Sequence, residues 1–326
     1  MSDFLGAQTP DLPPSIRDGK VVEGRDGRLF VANDGNRVVD QHRGALRFSE
    51  DQLRDWRHLL ETRAAWLERR GSHHLLLIAP NAHSVYPDAL PDGVASAPER
   101  PVHQLLTHLR EHDSYARVVY PLAELTASDD LAYPKTGSHW SEFGASIACR
   151  AVVEEIRRVV DIQPFPPDAF EFVALEFLGD LGAKMTPPMT STFVRADAIS
   201  PRARLVSDNR VRNTGRRIEY RNEELGDGPA CMVYGDSFAM RVLPFLAESF
   251  ARLTFVHMVN LDFDLAAALE PDVVVKIMNE RFLISVPVDA PAQTQAQLEA
   301  QRLAAGDVLP PRRAPVGKGR PLSGIR

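Results

Sequence analysis

Five short runs of continuous apolar, β-favouring residues recur along the chain: His74–Pro80 (HLLLIAP), Ala116–Leu122 (ARVVYPL), Ala230–Tyr234 (ACMVY), Leu253–Met258 (LTFVHM) and Asp272–Met278 (DVVVKIM). None alternates apolar with polar as a strand with one wet face would, so each is predicted to be buried on both faces. Segments of helical pattern lie between them, at Val102–Arg110, Glu142–Val160, Ala239–Phe250 and Leu265–Leu269. Doubly buried strands interleaved with helices predict an α/β fold, a three-layer α/β/α sandwich around a mainly parallel sheet. Upstream, Ser49 with Gln52 three residues later is a capping box. Leu53, Trp56, Leu60, Ala64 and Leu67 follow on one helical face, and Gly71 closes the helix. Asp26-Gly27 between apolar flanks at Val21–Val31 predicts a small hairpin.

Domain limits follow from where this pattern fades. Residues 1–19 read as a flexible leader and 20–290 as one domain. Residues 163–228, charged with weak β alternation, read as a β-rich excursion within it. From Pro291 the chain is rich in Ala, Gln, Pro and Arg, which predicts a disordered basic tail over 291–326, open to docking by a protein partner.

Composition narrows the function. The chain has 326 residues and a net charge of −6, which gives no footprint for nucleic acid, and no apolar run approaches membrane-spanning length. The first twenty residues have neither the basic nor the apolar region of a secretory signal. Two cysteines, Cys149 and Cys231, sit in apolar settings without metal or disulfide spacing. A reduced, cytoplasmic location is expected.

The candidate chemistry lies where buried runs end, because open parallel sheets place their sites at the carboxyl ends of strands. After Tyr234 the chain reads Gly235-Asp236-Ser237 and then resumes as a helix. Such a stretch is either a sharp turn presenting a nucleophilic hydroxyl or a plain turn with a helix cap, and the tripeptide does not decide between them. His139, in the polar loop that leads into the helix starting near Ser141, is the histidine placed to act as a base; a histidine of a first helical turn, stacked on Trp140, is the plain alternative.

Together these segments resemble a known family. YPKTGSHWSEFGA (133–145) and VYGDSFAMRVLPFLAESF (233–250), in that order, are similar to the alginate O-acetyltransferase (AlgX/AlgJ-like) branch of the SGNH hydrolases. GRDGRLFV, LLIAPNAHSVYPDALP, GDLGAKM and PDVVVKIMNERFL extend the resemblance over roughly 20–283. The resemblance implies an α/β/α sandwich whose histidine motif precedes its serine motif. It implies acyl transfer involving carbohydrate O-acetyl groups, on a carbohydrate or glycosylated metabolite, without metal or cofactor. Carried onto this chain it makes Ser237 the nucleophile and His139 its general base, with backbone N–H groups around Gly235 and Ser237 for an oxyanion.

One position departs from that pattern. The family motif is Asp-x-His, and this chain has Gly137 where the aspartate belongs. Asp129, Asp130, Glu142 and Asp180 are candidate substitutes by loop position, while Asp236 is expected to support the serine turn. Asn81 is an oxyanion candidate, and Lys135, Arg241 and Arg281 are candidates for binding an acidic sugar or acyl donor. The competing expectation is a protein that keeps this fold, has lost the triad, and binds carbohydrate or serves as a scaffold.

Overall fold

The computed structural model describes residues 12–310 and 319–322. Its strands are β1 (Val21–Glu23), β2 (Leu29–Val31), β3 (His73–Ala79), β4 (Arg117–Val119), β5 (Phe170–Phe177), β6 (Ser191–Ala198), β7 (Ala203–Asp208), β8 (Arg217–Asn222), β9 (Ala230–Gly235), β10 (Arg252–His257), β11 (Val273–Asn279) and β12 (Arg320–Pro321). Seven of them form the main sheet in the order β4-β3-β11-β9-β10-β8-β7. The first five are mutually parallel, and β8 and β7 add antiparallel strands at one edge. The fold is therefore α/β with a mainly parallel central sheet.

Alternate residues of the central strands enter different cores. Leu75, Leu77, Val233, Val275 and Ile277 pack on one face, with Ala145, Cys149 and Val152 of the helix Glu142–Ile156 and Val242, Leu243 and Leu246 of the helix Ala239–Ala247. Leu76 and Ile78 pack on the other face, with Leu53, Trp56 and Leu60 of the helix Glu50–Glu68 and Val102 and Leu105 of the helix Pro101–Glu111. This split explains why the runs are continuous: a period of two fills both faces when helices cover both. Burying each such side chain is worth about 1.5–3 kcal/mol.

Local signals set several boundaries. Ser49 caps the helix Glu50–Glu68 as a capping box, accepting from the Gln52 N–H at 3.3 Å while its own N–H reaches Gln52 Oε1 at 2.9 Å. The run at Ala116–Leu122 gives only a three-residue strand, β4, because it lies at the sheet edge and Pro121 has no N–H to offer a ladder. Residues 163–228 hold four strands. β5 and β6 pair with each other and, through β5, with β12, while β7 and β8 extend the main sheet. No helix among the described residues is long and apolar enough to cross a membrane.

Both termini differ from expectation where they are described. Within the expected flexible leader, Pro14–Arg17 is a short helix, and Leu12 and Ile16 are buried in the main core. Residues 1–11 lie outside the described residues. Within the expected disordered tail, a helix spans Gln295–Ala304 with its own capping box at Thr294 and Gln297, and β12 pairs with β5. Residues 311–318 and 323–326 lie outside the described residues. The tail orders through polar contacts as well as through Leu298 and Leu322, which pack against the hydrophobic core, and composition does not reveal either. Gln295 is buried, its N–H reaches Asp262 Oδ2 at 2.7 Å, and its amide donates to Gly215 O at 3.1 Å. Truncation after Ala290 is accordingly expected to lower Tm by about 2–5 °C, from the loss of these buried hydrogen bonds. A thermal melt unchanged by the truncation would show that the helix contributes nothing to the domain.

Candidate active site

Ser237 sits at the carboxyl end of β9. A side chain at Gly235 would come within 2.1 Å of Ile277 O on β11, so only glycine lets the two strands close up there. The next residue, Asp236, accepts from the Phe238 N–H at 2.8 Å and from the Asn279 N–H at 2.8 Å. Its carboxylate thereby pins the turn to the end of β11 and leaves the Ser237 hydroxyl outside the sheet. Ala239 then opens the following helix.

His139 reaches the same edge from another loop. Ser141 caps the helix Glu142–Ile156, its Oγ accepting from the Gly144 N–H at 3.0 Å. The Trp140 indole is fully buried and donates to Phe238 O at 3.1 Å, which ties the histidine loop to the residue after the serine. The imidazole stacks on the Phe238 ring, with centroids 4.7 Å apart and an interplanar angle of 27°, rather than on Trp140. So held, His139 Nε2 lies 2.7 Å from Ser237 Oγ.

The far imidazole nitrogen meets a hydroxyl. His139 Nδ1 is 3.0 Å from Ser138 Oγ, and Ser138 Oγ donates to Asp180 Oδ2 at 2.6 Å. The Ser138 N–H donates to Asp180 Oδ1 at 2.8 Å. Asp180 is brought there by a close backbone crossing. Thr136 O accepts from the N–H groups of Leu181 (3.2 Å) and Gly182 (2.9 Å), and a side chain on Gly179 would come within 1.9 Å of that oxygen. At Gly137 a Cβ would lie 3.7 Å from Asp180 Oδ1 and 2.8 Å from Pro134 Cγ. Asp180 thus stands beside the place that a carboxylate at residue 137 would take.

The other candidates have their own partners. Asp130 pairs with Arg28 at 2.8 Å and with Lys135 at 3.3 Å, while the backbone oxygen of Asp129 accepts from the Tyr86 hydroxyl. Neither carboxylate is hydrogen-bonded to His139, and that of Asp130 is taken by Arg28 and Lys135 instead. Lys135 is held by the same Asp130 and by Asp26 O. Asn81 donates to Glu280 Oε1 at 3.2 Å, so that amide proton serves a buried carboxylate rather than an oxyanion. Glu142 accepts from the Ala196 N–H at 2.7 Å. Arg241 donates to Trp140 O and lies over the Phe193 ring, 4.9 Å from its centroid. Phe238 and Trp140 escaped the sequence reading as site residues, since apolar residues next to a turn read as core.

The electrostatics suit a neutral imidazole. Burial, with help from the charges of Arg241 and Arg281 and against that of Asp180, lowers the His139 pKa to about 4. At Asp180 burial works to raise the pKa, but hydrogen bonds from Ser138 and the charges of His139 and Lys184 leave it lowered, so the group is a carboxylate at neutral pH. Burial raises the Asp236 carboxyl despite its two backbone donors.

A serine and a histidine meeting at the carboxyl edge of a parallel α/β sheet, histidine first in the chain, define an SGNH hydrolase-like domain. The family model described as "SGNH hydrolase-like domain, acetyltransferase AlgX" matches residues 21–252, more than half of the chain, and the chain belongs to that family. Among solved structures it is similar to the O-acetyltransferase domain of Pseudomonas putida AlgJ, with 18% identity, coverage of 86% of this chain and 99% of that one, and a TM-score of 0.52. Bacillus cereus PatB1 is similar at 10% identity, 81% and 96% coverage and a TM-score of 0.61. A DHHW family protein from Eubacterium siraeum follows at 15% identity, 81% and 91% coverage and a TM-score of 0.54. At such identities the likeness establishes the fold. No curated protein sequence matches the chain significantly.

Proposed function

We propose that this protein transfers or hydrolyses O-acyl groups, chiefly O-acetyl, of a carbohydrate or glycosylated metabolite, with Ser237 as nucleophile and His139 as general base. The observation that carries this reading is the 2.7 Å contact between Ser237 Oγ and His139 Nε2. A hydroxyl is a weak nucleophile until a base within hydrogen-bond reach takes its proton. As Oγ attacks the acyl carbonyl, its proton passes to Nε2, and the imidazolium then protonates the departing sugar oxygen. The acyl group is left on Ser237. An acceptor hydroxyl, from a second sugar or from water, attacks that ester, gives its proton to His139, and the proton returns to Oγ as it leaves. The Ser237 N–H, for which no acceptor is found among the described residues, is the donor available to the tetrahedral oxyanion. Membership of the acetyltransferase family and the O-acetyltransferase assignment of the similar AlgJ domain support acetyl as the group moved.

Active-site labelling tests this reading. A fluorophosphonate or an aryl sulfonyl fluoride is expected to modify the protein at Ser237, located by peptide mass spectrometry, with no labelling of Ser237→Ala. A folded protein that resists both probes yet binds oligosaccharides would instead be a binding protein on this fold.

A further inference from the structure

We propose that Ser138 and Asp180 are positioning residues that fix the tautomer of His139, the Ser138 hydroxyl relaying the Asp180 carboxylate to Nδ1 in place of an aspartate at residue 137. The inference rests on the Ser–His reading above, and it follows from counting protons. A carboxylate only accepts hydrogen bonds, so both contacts to Asp180 are donated by Ser138, one from the backbone N–H and one from the hydroxyl. The hydroxyl has one proton, and it is spent on Asp180 Oδ2. Towards His139 the Ser138 oxygen therefore offers only lone pairs, so the 3.0 Å contact requires a proton on Nδ1. A neutral imidazole has one N–H. With it on Nδ1, Nε2 is bare and accepts the Ser237 proton across 2.7 Å.

The four groups thus have one consistent direction of donation: Ser237 to His139, His139 to Ser138, Ser138 to Asp180. When His139 becomes an imidazolium, its Nδ1–H faces a hydroxyl already polarised by the carboxylate, so the new charge is stabilised one bond removed. The same count explains how the chain tolerates Gly137. Asp180 is anchored by the Thr136 crossing independently of the 137 side chain, and a carboxylate at 137 would meet Asp180 and Pro134.

The decisive variant is Asp180→Asn. An asparagine in the same pose accepts the Ser138 N–H with its oxygen and donates an amide proton to Ser138 Oγ. The freed hydroxyl proton then turns to Nδ1, and the imidazole is left with its own proton on Nε2, where it faces Ser237. In ¹⁵N-histidine NMR at neutral pH, wild-type His139 is expected as the Nδ1–H tautomer and the variant as Nε2–H. Turnover of a small acyl ester should fall by up to about 10⁴-fold, the loss a wrong tautomer causes in a serine protease triad. Ser138→Ala should leave the tautomers mixed, while Ser138→Thr, which retains the hydroxyl, should keep both tautomer and rate. Gly137→Asp should give no gain in rate.

Wild-type His139 protonated at Nε2, an Asp180→Asn variant that keeps the Nδ1–H form, or a large gain from Gly137→Asp would each overturn the proposal. Should Ser138→Ala fail to fold, the Asp180→Asn and Ser138→Thr spectra still decide it. The NMR readout is independent of turnover. An Nδ1–H tautomer that flips as described, in a protein that no serine probe labels, would refute the catalytic reading and leave the relay standing.

Discussion

Replacing His139 by alanine is expected to lower kcat for a small activated acyl ester by about 10⁶-fold, the loss seen when a comparable serine–histidine unit is broken. The reason is that, among the described residues, His139 is the base in contact with the Ser237 hydroxyl: its Nε2 is 2.7 Å away, and Asp180 and Asp236 have their own donors. Ser237→Ala should cost about as much, and the double variant little more, because two residues that share one proton transfer fail together. Steady-state rates on the purified, folded variants check this. Activity of His139→Ala within tenfold of wild type would mean that the observed contact is not the catalytic one.

Acidification is expected to destabilise the protein from about pH 6.5 downward, above the range in which ordinary carboxylates titrate. Burial lowers the pKa of His42 to about 2 and those of His83 and His257 to about 4, alongside His139, and lowers that of His74 well below its usual value. Each group is depressed in the folded state and ordinary, near 6.5, when unfolded. Its contribution to stability is therefore fully present above pH 6.5 and is lost as pH falls toward the folded value, because only the unfolded chain takes up the proton. His42 and His83, 2% and 3% exposed, should each remove roughly 2–3 kcal/mol by pH 4.5. Together that is a large share of a typical stability of about 5–15 kcal/mol. Glu142, Asp236 and Glu248, raised by burial, work in the opposite direction and soften the fall. Denaturant melts between pH 8 and 4.5 should show stability level at the top and dropping below pH 6.5. Level stability down to pH 4.5 would mean that these rings protonate in the folded protein.

The sheet and its covering helices were legible in the sequence because their signals are local. A strand buried on both faces is apolar at nearly every position, and Leu75–Ala79 and Val273–Val275 show that without reference to anything distant, whereas Lys276 is buried in the same run only because its ammonium donates to Met258 O and Val259 O. Helix starts were legible for the same reason, since Ser49 and Gln52 satisfy each other within one turn. The meeting of Ser237 with His139 was legible through the order of two motifs, each closing a loop onto the same sheet edge. Other readings failed where ordering depends on partners far along the chain: Gln295 on Asp262 and Gly215, and Leu12 and Ile16 on the main core.

The sequence by itself determined the layers of this protein, the edge at which its site forms, and the pair of side chains offered there. What faces the far nitrogen of His139 was decided by tertiary structure alone. Four acids stood as candidate substitutes, and nothing local distinguishes Asp180 from Asp129 or Asp130. The choice is made by Thr136 O, which gathers the Leu181 and Gly182 N–H groups and can do so only because Gly179 has no side chain. That crossing places a carboxylate 42 residues distant against Ser138, while Asp130 is drawn off by Arg28. A hydrogen bond selects its partner by position and direction in space, and for residues so far apart in sequence only the folded chain supplies both.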